Sequence, residues 1–329
     1  MADYKLVFVG ASGHVGEVLN ELAHFPQVHF VGYAPSFPGE DVSTFARFGA
    51  KPYEDWREML TSEEPDIVAI CARYDLNNVV GIEAARRGCH IISDKPAAQT
   101  IEGLNELRQL VKEKGLLYAS MLVMRYWPTF YTARQLVQEG VIGEPYLISA
   151  QKSYRWGVRP EWYADRAKYG STMTWVGIHA FDFARWVAGV DYAEVFAYHA
   201  NLVHKERPGC QDVATVIARL ANGGSAIFNL DYLRPEAAPT HGDDRLRIAG
   251  SRGVLEVCDH GTRLHVITAE KDVPSWPLQD PGRSLFGDLV AALEGKGELL
   301  VPAEEAFEVT SFAIEAAEAA DTGRVIRLL

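Results

Sequence analysis

The sequence has no long apolar run, no excess of basic residues and few cysteines, and each of these absences excludes a class of protein. No stretch approaches the ~20 apolar residues that a membrane-spanning helix needs, so we expect no membrane association. The N-terminus passes into a strand pattern without the apolar core of a signal peptide. Lysine and arginine total 32 against 44 acidic residues, and the net charge of −12 disfavours nucleic acid as a partner.

The cysteines are widely spaced, which argues against disulfide frameworks and metal motifs. The sequence has four, namely Cys71, Cys89, Cys210 and Cys258. No C-x-x-C pair occurs, and no histidine completes a zinc-type spacing. We therefore expect buried, reduced thiols, no metal site and a cytoplasmic location.

The first third of the chain alternates strand and helix patterns. Apolar strand patterns occupy 6–9, 29–33, 67–71, 90–93 and 116–120. Between them, helix patterns occupy 15–23, 42–48, 56–60, 78–87 and 101–113. Such alternation predicts a parallel, Rossmann-like α/β sheet covered on both faces by right-handed crossovers. Thr100 is placed to cap the last of these helices.

Beyond residue 120 the pattern changes, and we expect a second domain there. Strand patterns follow one another at 146–152, 194–201, 214–220, 225–232, 246–249, 253–258 and 262–267. Helix patterns occupy 129–139, 171–187 and 303–320. The segment Asn222-Gly223-Gly224 is typical of a hairpin turn. The predicted domains are 1–120, with the parallel sheet, and 121–329, an α+β domain with a largely antiparallel, open sheet.

The first strand pattern runs directly into a glycine-rich turn that spans residues 10–16, Gly-Ala-Ser-Gly-His-Val-Gly. In a dinucleotide-binding unit the first glycine allows the tight turn, and the second lets backbone N–H groups approach the pyrophosphate. The third lets the following helix pack closely on the strand. The order of strand, glycines and helix therefore predicts an NAD or NADP site, although G-x-x-G-x-x-G is not the commonest spacing.

A second motif, Asp94-Lys95-Pro96, follows the strand pattern at 90–93. Ligands of open α/β sheets bind at the carboxyl ends of the strands, so Lys95 is placed to reach the cofactor. A solvated surface lysine in a loop would give the same spacing, and the spacing alone does not separate the two.

Together the motifs resemble those of the Gfo/Idh/MocA family of NAD(P)-dependent oxidoreductases. The resemblance runs from about residue 4 to residue 328 and is carried by the glycine turn, Asp94-Lys95-Pro96 (the family has Glu-Lys-Pro), Arg125-Tyr126-Trp127-Pro128, Gly143-Glu144-Pro145 and the closing segment 302–324. It implies a dinucleotide-binding domain, a substrate domain for carbohydrate-like molecules, and a homodimer or homotetramer that pairs through the open sheets.

The family's catalytic helix is matched at Gly177, His179 and Asp182, but Trp175 stands where the family keeps an aspartate. The resemblance implies that His179 takes the substrate proton, because imidazole titrates near neutrality, and that Lys95 stabilises the developing alkoxide. Trp175 has two interpretations. It is a stacking platform for a sugar ring or the nicotinamide, or it fills a site that no longer performs redox chemistry.

The expected binding residues follow from these motifs. We expect the cofactor, NAD or NADP, to contact Gly10, Ser12, Gly13, His14, Val15, Ser36, Lys95 and Pro96. The expected substrate contacts are Arg125, Tyr154, Arg155, Trp162, Trp175 and Asp182. No acidic residue lies near Ala34 to bind the ribose hydroxyls of NAD, and Glu40 comes too late in the chain unless its loop folds back. In 154–163 the tryptophans suit the C–H faces of sugars and the arginines suit a carboxylate or phosphate, but the same residues are equally typical of a subunit interface.

The predicted function is hydride transfer between a sugar or polyol carbon and nicotinamide C4. Two alternatives stay open. One is a redox-neutral glycosidase or lyase of the same family, which would use bound NAD transiently. The other is a non-enzymatic ligand-binding protein with a degenerate site, for which Trp175 is the supporting feature.

Overall fold

The computed structural model describes residues 3–328, which form two compact units. Unit 1 contains the chain up to Val123 together with Arg283–Thr310, and unit 2 contains Met124–Gly282 and the chain from Ser311. The chain leaves unit 1 close to the boundary expected near residue 120. The division differs from the expected domains 1–120 and 121–329 because residues 283–310 return to unit 1.

The secondary structure within the described residues alternates in unit 1 and becomes strand-rich in unit 2. The strands are β1 (Tyr4–Val9), β2 (Val28–Ala34), β3 (Lys51–Pro52), β4 (Ile67–Ile70), β5 (His90–Ser93), β6 (Tyr118–Ser120), β7 (Pro145–Arg155), β8 (Tyr192–Ala200), β9 (Val213–Leu220), β10 (Ser225–Arg234), β11 (Gly242–Gly250), β12 (Gly253–Cys258), β13 (Arg263–Thr268), β14 (Asp272–Val273) and β15 (Ile326–Arg327). The helices are α1 (Gly16–Leu19), α2 (Trp56–Glu63), α3 (Asn77–Arg86), α4 (Ile101–Glu113), α5 (Pro128–Gln138), α6 (Arg166–Tyr169), α7 (Ile178–Ala188), α8 (Leu285–Leu293) and α9 (Ala303–Thr322). Short 3₁₀ turns occupy Leu22–His24, Ser43–Phe48, Tyr74–Leu76, Val123–Tyr126 and Glu161–Ala164, and a π turn occupies Met173–Gly177.

The sheet of unit 1 is parallel and has the order β3-β2-β1-β4-β5-β6 among the described strands. All residues of the central strand β4 are buried, as expected for a strand that helices cover on both faces. Helix α4 begins and ends where the sequence predicts. The Thr100 hydroxyl accepts the N–H of Gly103 at 3.1 Å and caps the helix. The predicted Rossmann-like architecture is confirmed.

Two predicted helices of unit 1 are shorter or tighter than expected. The pattern at 15–23 gives the one-turn helix α1 and then a 3₁₀ turn, since Asn20 and His24 are weak helix formers and Pro26 ends the run. The pattern at 42–48 gives a 3₁₀ turn, in which the ring of Phe45 packs 4.8 Å from that of Phe8.

Residues 283–310 complete the core of unit 1. Helix α8, which the sequence analysis missed, is capped by Ser284 and packs Phe286 edge-on against Phe25, with ring centroids 5.5 Å apart. In α9, Phe307 lies 4.8 Å from the ring of Tyr118. The apolar positions of α8 recur with a helical period, so the helix itself was predictable, whereas its return to unit 1 depends on distant partners.

Unit 2 contains a mostly antiparallel sheet with the order β14-β13-β12-β11-β7-β10-β9-β8-β15 among the described strands. Its one parallel pair among those strands is β7 with β10. The predicted hairpin joins β9 to β10, and the Asn222 side chain accepts the N–H of Gly224 at 3.1 Å. Helix α7 covers one face, where Phe181 contacts Phe228 and Phe312 edge-on, each with centroids 4.9 Å apart.

The opposite face of this sheet exposes apolar side chains. Ile217 and Ile227 are directly paired across β9 and β10, and both are exposed. Leu147 and Tyr198 extend the exposed apolar surface along β7 and β8. The sheet is therefore open on this face within unit 2, as the sequence predicts.

The structure also bears on the expectations about membrane-spanning helices and about the cysteines. No helix among residues 3–328 is both long and apolar enough to cross a membrane. Each of the four cysteines is a free thiol; Cys71, Cys89 and Cys210 are buried, and Cys258 is half-buried rather than buried.

Candidate active site

The glycine turn that follows β1 is closed by main-chain hydrogen bonds. The N–H of Gly10 donates to Ala34 at 2.9 Å, and the N–H of Ser12 donates to Cys71 at 2.8 Å. Gly10 has a φ of +77°, and a side chain there would collide with the carbonyl oxygen of Cys71. Gly13, with a φ of +71°, also has the left-handed conformation that favours glycine.

Gly16 does not have the role that the motif assigns to it. Apart from its own helix backbone, an added Cβ would meet only the side chain of Asn20, at 3.2 Å, among the described residues. Close packing of α1 on the strand therefore does not require a glycine at this position. The reason is the shortness of α1, which ends one turn after it begins.

The loop that follows β2 folds back onto the glycine turn. One carboxylate oxygen of Glu40 accepts the N–H of Ala11 at 3.1 Å and the hydroxyl of Ser12 at 3.2 Å. The other accepts the N–H and the hydroxyl of Ser36, both at 2.6 Å. Glu40 thus reaches the region from which its sequence position appeared to exclude it, and it does so because 3₁₀ and loop residues, not a helix, follow β2.

Asp94 organises the carboxyl end of β5. Its carboxylate lies 2.9 Å from Nδ1 of His14 and accepts the main-chain N–H of His14 at 3.1 Å and that of Lys95 at 2.8 Å. Burial alone would raise the pKa of Asp94, but the charge and hydrogen bonds of His14 and the charge of Lys95 outweigh burial and lower that pKa. Asp94 is therefore an anion that fixes both neighbours, a role that the motif did not reveal.

Lys95 is 1% exposed, and the Lys95–Pro96 peptide is cis. The amide of Asn77 donates to the carbonyl oxygens of Asp94 at 3.3 Å and Pro96 at 3.0 Å. The segment is thus held on both sides of the lysine. The solvated surface lysine that the sequence left open is excluded.

These residues fit a dinucleotide. Gly10 and Gly13 leave two positions of the turn without a side chain, and the main-chain groups of the turn, with Ser36, lie at the carboxyl edge of the parallel sheet. Val15 begins the helical turn that α1 continues. The N–H groups of Gly13 and Val15, which are not among the internal hydrogen bonds of the turn, would hold the pyrophosphate, and the serines and Glu40 would face the ribose side.

In unit 2, the candidate base lies just after a π turn. Met173–Gly177 has the wider hydrogen-bonding pattern, and α7 continues from Ile178. His179, in the first turn of α7, is 1% exposed, and Trp175, within the π turn, is 7% exposed. Because π turns recur at functional sites and take an extra residue per turn, Trp175 and His179 are not in the simple α-helical register that the sequence suggested.

Arg125 and Asp182 form a buried pair. Nη2 of Arg125 lies 2.6 Å from Oδ1 of Asp182, Nε lies 3.1 Å from both carboxylate oxygens, and both side chains are 1% exposed. The guanidinium also lies 5.4 Å from the ring of Trp186. The two residues were predicted as separate substrate contacts, but they bind each other and fix α7 against the start of unit 2.

A second buried pair was missed by the sequence analysis. On β7, Nζ of Lys152 lies 2.6 Å from Oδ1 of Asp244 on β11, and it lies 5.1 Å from the ring of Tyr154. Lys152 also contacts the sulfur of Met124 at 3.8 Å. The alternation along β7, in which Ile148, Ala150 and Lys152 are buried, was the signal that could have found the lysine.

The remaining predicted substrate residues lie at the end of β7 and in the loop that follows. Tyr154 stacks on His241, with ring centroids 4.9 Å apart, and Trp162 packs 4.7 Å from Tyr163. Arg155, the last residue of β7, donates its N–H to the carbonyl of His241 at 3.0 Å. No group of three or more metal-ligating side chains occurs among residues 3–328.

Comparison with known families matches both units. Residues 4–121 match the model of an oxidoreductase family with an NAD-binding Rossmann fold. Residues 130–256 match the model of the GFO/IDH/MocA C-terminal domain. Together the two matches cover more than half of the chain.

Individual relatives agree with this assignment. A solved structure from Thermotoga maritima, proposed to be an oxidoreductase, is 35% identical with a TM-score of 0.91, covering 98% of this chain and 100% of that one. The myo-inositol 2-dehydrogenase of Thermotoga maritima is 24% identical over 205 residues, 62% of this chain and 59% of the relative. The levoglucosan dehydrogenase of Pseudarthrobacter phenanthrenivorans is 27% identical over 214 residues, 60% of this chain and 54% of the relative.

The matched region spans less than two thirds of the length of these two curated relatives. The family models and the Thermotoga maritima structure, in contrast, account for both units. The chain belongs to the Gfo/Idh/MocA family of oxidoreductases, with an NAD-binding Rossmann domain followed by the family's C-terminal domain.

Proposed function

We propose that this protein is an NAD-dependent dehydrogenase or reductase acting on a hydroxyl or carbonyl carbon of a sugar, polyol or related carbohydrate. The observation that carries the proposal is the full burial of Lys95 directly after β5, on the same sheet edge as the glycine turn. The substrate class is supported by relatives named as dehydrogenases of myo-inositol and of levoglucosan.

In the proposed reaction, two side chains of the protein transfer one proton and stabilise one developing negative charge. Bound NAD⁺ would accept the hydride that leaves the carbinol carbon. His179 accepts the hydroxyl proton on a ring nitrogen, because a neutral imidazole is a suitable base near pH 7. The Lys95 ammonium stabilises the alkoxide oxygen that forms. In the reductive direction His179 returns the proton.

We test these roles with Lys95→Ala and His179→Ala. Lys95→Ala should abolish turnover and leave NADH affinity nearly unchanged, because main-chain groups hold the phosphates. His179→Ala should lower kcat by about two to four orders of magnitude, the usual contribution of a positioned acid–base group. Turnover is followed as reduced nicotinamide over a sugar and polyol panel, and affinity by calorimetry. The exposed His24 gives the control, His24→Ala, and full activity in both site variants would refute the assignment.

Trp175 supports a second candidate, a ligand-binding protein without turnover, because a buried indole stands where the family keeps an aspartate. The two candidates differ in one measurement. If NADH and a carbohydrate both bind but no member of the panel reacts, the binding protein is correct. Product formation without net change in reduced nicotinamide would instead identify the redox-neutral enzyme.

Glu40 leads us to propose NAD rather than NADP as the cofactor. Its carboxylate is held against the glycine turn and Ser36, where a 2′-phosphate would meet like charge. Glu40→Gln should lessen the preference for NADH over NADPH about tenfold or more, measured as the ratio of the two dissociation constants. The matched control is Asp41→Asn, since Asp41 bonds the N–H of Ser43 instead. An unchanged ratio in Glu40→Gln rejects the proposal.

A further inference from the structure

Three arginines come together on two neighbouring loops of unit 2. Arg155 ends β7, Arg159 lies four residues later, and Arg207 lies in the loop between β8 and β9. Nη2 of Arg159 donates to the carbonyl of Arg155 at 2.9 Å, and Nη2 of Arg207 donates to the carbonyl of Arg159 at 3.4 Å. The guanidinium groups of Arg159 and Arg207 each bond the main chain of another of these arginines, and the three residues are called here the arginine cluster.

The guanidinium of Arg159 is held by aromatic rings. It lies 4.8 Å from the ring centroid of Tyr232, 5.7 Å from Tyr163 and 5.8 Å from Trp156. Trp156 is itself fixed by a parallel stack on His204, with centroids 4.0 Å apart and planes 6° apart. Stacking takes up the faces of a guanidinium and leaves its N–H donors in the plane, which is the geometry that a carboxylate or phosphate needs.

Two members of the cluster lack a carboxylate partner among the described residues. Neither Arg155 nor Arg207 forms an ion pair with a carboxylate among residues 3–328, and the buried Nε of each has no hydrogen-bond acceptor. Two buried carboxylates of unit 2 already have other partners. Asp244 pairs with Lys152, and Asp212 accepts the main-chain N–H groups of residues 202–204.

Arg155 and Arg207 lack a carboxylate partner although the chain has a net charge of −12. Burial of an arginine donor without an acceptor costs free energy, so such donors call for an explanation. Burial lowers the pKa of the neighbouring His241, and the charges of Arg159, Arg155 and Lys152 lower it further, while Glu236 raises it. The field in this part of unit 2 is therefore positive, although the chain as a whole is acidic.

The cluster is connected to the helix that carries His179. The hydroxyl of Tyr232 lies 3.2 Å from that of Tyr169, which lies 2.8 Å from the hydroxyl of Thr172, immediately before the π turn. Gln211, at the end of the Arg207 loop, accepts the Thr172 N–H at 3.2 Å through its side chain. A group bound by the arginines is thus held by the same framework that positions the candidate base.

We propose that Arg155, Arg159 and Arg207 form an anion-binding subsite that takes a carboxylate or phosphate group, so that the preferred substrates are sugar acids or sugar phosphates rather than neutral sugars. The substrate statement rests on the proposed function, whereas the anion site itself does not. Gly157 and Val158, which lie between Arg155 and Arg159 in the chain, are exposed, and Val158 is 99% exposed.

Calorimetry on the full chain tests the subsite without turnover. D-glucuronate, D-glucose 6-phosphate and D-glucose are titrated at constant ionic strength. We expect at least one anionic sugar to bind ten-fold or more tightly than glucose. Comparison of the dissociation constants of glucuronate and glucose 6-phosphate shows whether the subsite prefers a carboxylate or a phosphate. Arg155→Gln/Arg159→Gln should remove that preference, so that the anionic sugars bind the double variant no more tightly than glucose does. Equal affinities in the wild type, or a preference that survives in the double variant, overturn the inference.

The matched control is Arg57→Gln, because Arg57 also stacks on an indole, 4.0 Å from the ring of Trp56, but lies outside the cluster. It should keep the full preference. Arg207→Gln, a single change in the other loop, should weaken anion binding about three-fold or more and gives a second variant if the double one folds poorly.

Inorganic phosphate supplies a readout that does not depend on the sugar. Phosphate should raise the melting temperature more than chloride at equal ionic strength, and the difference should vanish in the double variant. If phosphate and both anionic sugars fail to stabilise the wild type, the subsite does not exist. If anions bind but no sugar is oxidised or reduced with NAD(H), the subsite stands and the proposed function fails.

Discussion

Gly10 and Gly16 belong to one turn, yet only Gly10 has surroundings that exclude a side chain. A positive φ and the approach of the Cys71 carbonyl both act against a Cβ at Gly10. Gly16 has open space apart from the flexible Asn20 side chain. The presence of a glycine at a motif position therefore does not show whether the backbone or the packing requires glycine there.

We predict opposite effects for the two alanine substitutions. Gly10→Ala should lower the free energy of unfolding by at least about 1–3 kcal/mol, because backbone strain and a collision add. Gly16→Ala should leave it unchanged or raise it by up to about 1 kcal/mol, since alanine favours helix. Urea unfolding of both variants measures the difference. Equal losses would show that the geometry of the turn is misjudged.

Removing one partner of the buried pair of Arg125 and Asp182 should destabilise the folded protein. Asp182→Asn should lower the free energy of unfolding by about 3–5 kcal/mol, because a buried guanidinium loses its counter-charge. The exposed pair of Arg86 and Glu106, at a similar 2.6 Å, gives the control. Glu106→Gln should cost about 0–1 kcal/mol. A small effect at Asp182 would mean that water reaches Arg125.

At the scale of elements, α9 carries an acid that weakens the fold when it ionises. Burial, with a smaller contribution from Glu318, raises the pKa of Glu315 to about 7. Between its ordinary value of 4.5 and about 7, the folded state binds more protons than the unfolded state. The contribution of this group to stability is therefore fully present at low pH and is lost as the pH rises through that window.

We expect Glu315→Gln to flatten the pH dependence of stability between pH 4.5 and about 7 and to stabilise the protein at pH 8. Thermal unfolding across this range measures the effect. Glu113→Gln, on the exposed face of α4, should leave the profile unchanged. A wild-type profile that already lacks the slope contradicts the expectation.

The helix that carries the candidate base is preceded by an irregular turn. The π turn of Met173–Gly177 is wholly buried, and an added Cβ at Gly177 would lie 2.6 Å from Leu230. Such a turn survives because packing on β10 fixes it, not because its sequence favours it. A side chain at Gly177 would therefore displace the ends of the Leu230 and Phe181 side chains, which gives a packing reason for this match to the family motif.

At the scale of the whole molecule, the open face of the unit 2 sheet predicts self-association. Ile217 and Ile227 are neighbours on this face, and exposed apolar patches of this kind mark interaction surfaces. We expect a homodimer or homotetramer, with a mass by light scattering that is a multiple of 36.4 kDa. Ile227→Arg should shift the mass towards the monomer, and Val79→Arg, on α3 of unit 1, should not. A monomeric wild type at micromolar concentration rejects the prediction.

Features that depend on interactions between neighbours in the chain were predictable from the sequence, and features that depend on distant residues were not. Helix α4 and strand β5 have the predicted bounds because capping and apolar periodicity act within a few residues. Lys95 and His179 were identified by motifs, and their roles stay predictions. The sequence did not identify three residues of the candidate sites, Glu40, Lys152 and Arg207. Their partners lie on other strands and loops, and local sequence patterns do not predict such contacts.

What the sequence by itself determined is the alternation that makes unit 1 a parallel sheet, the run of strands that makes unit 2 open, and the family. These depend on periodicity and on short motifs, which are local. Only the tertiary structure decided that 283–310 complete unit 1, that Glu40 lies against the glycine turn, and that two loops bring the arginines together. Each of these outcomes depends on packing and hydrogen bonds between residues distant in the chain. Bringing such residues together has an entropy cost of loop closure, which only the contacts of the folded molecule offset.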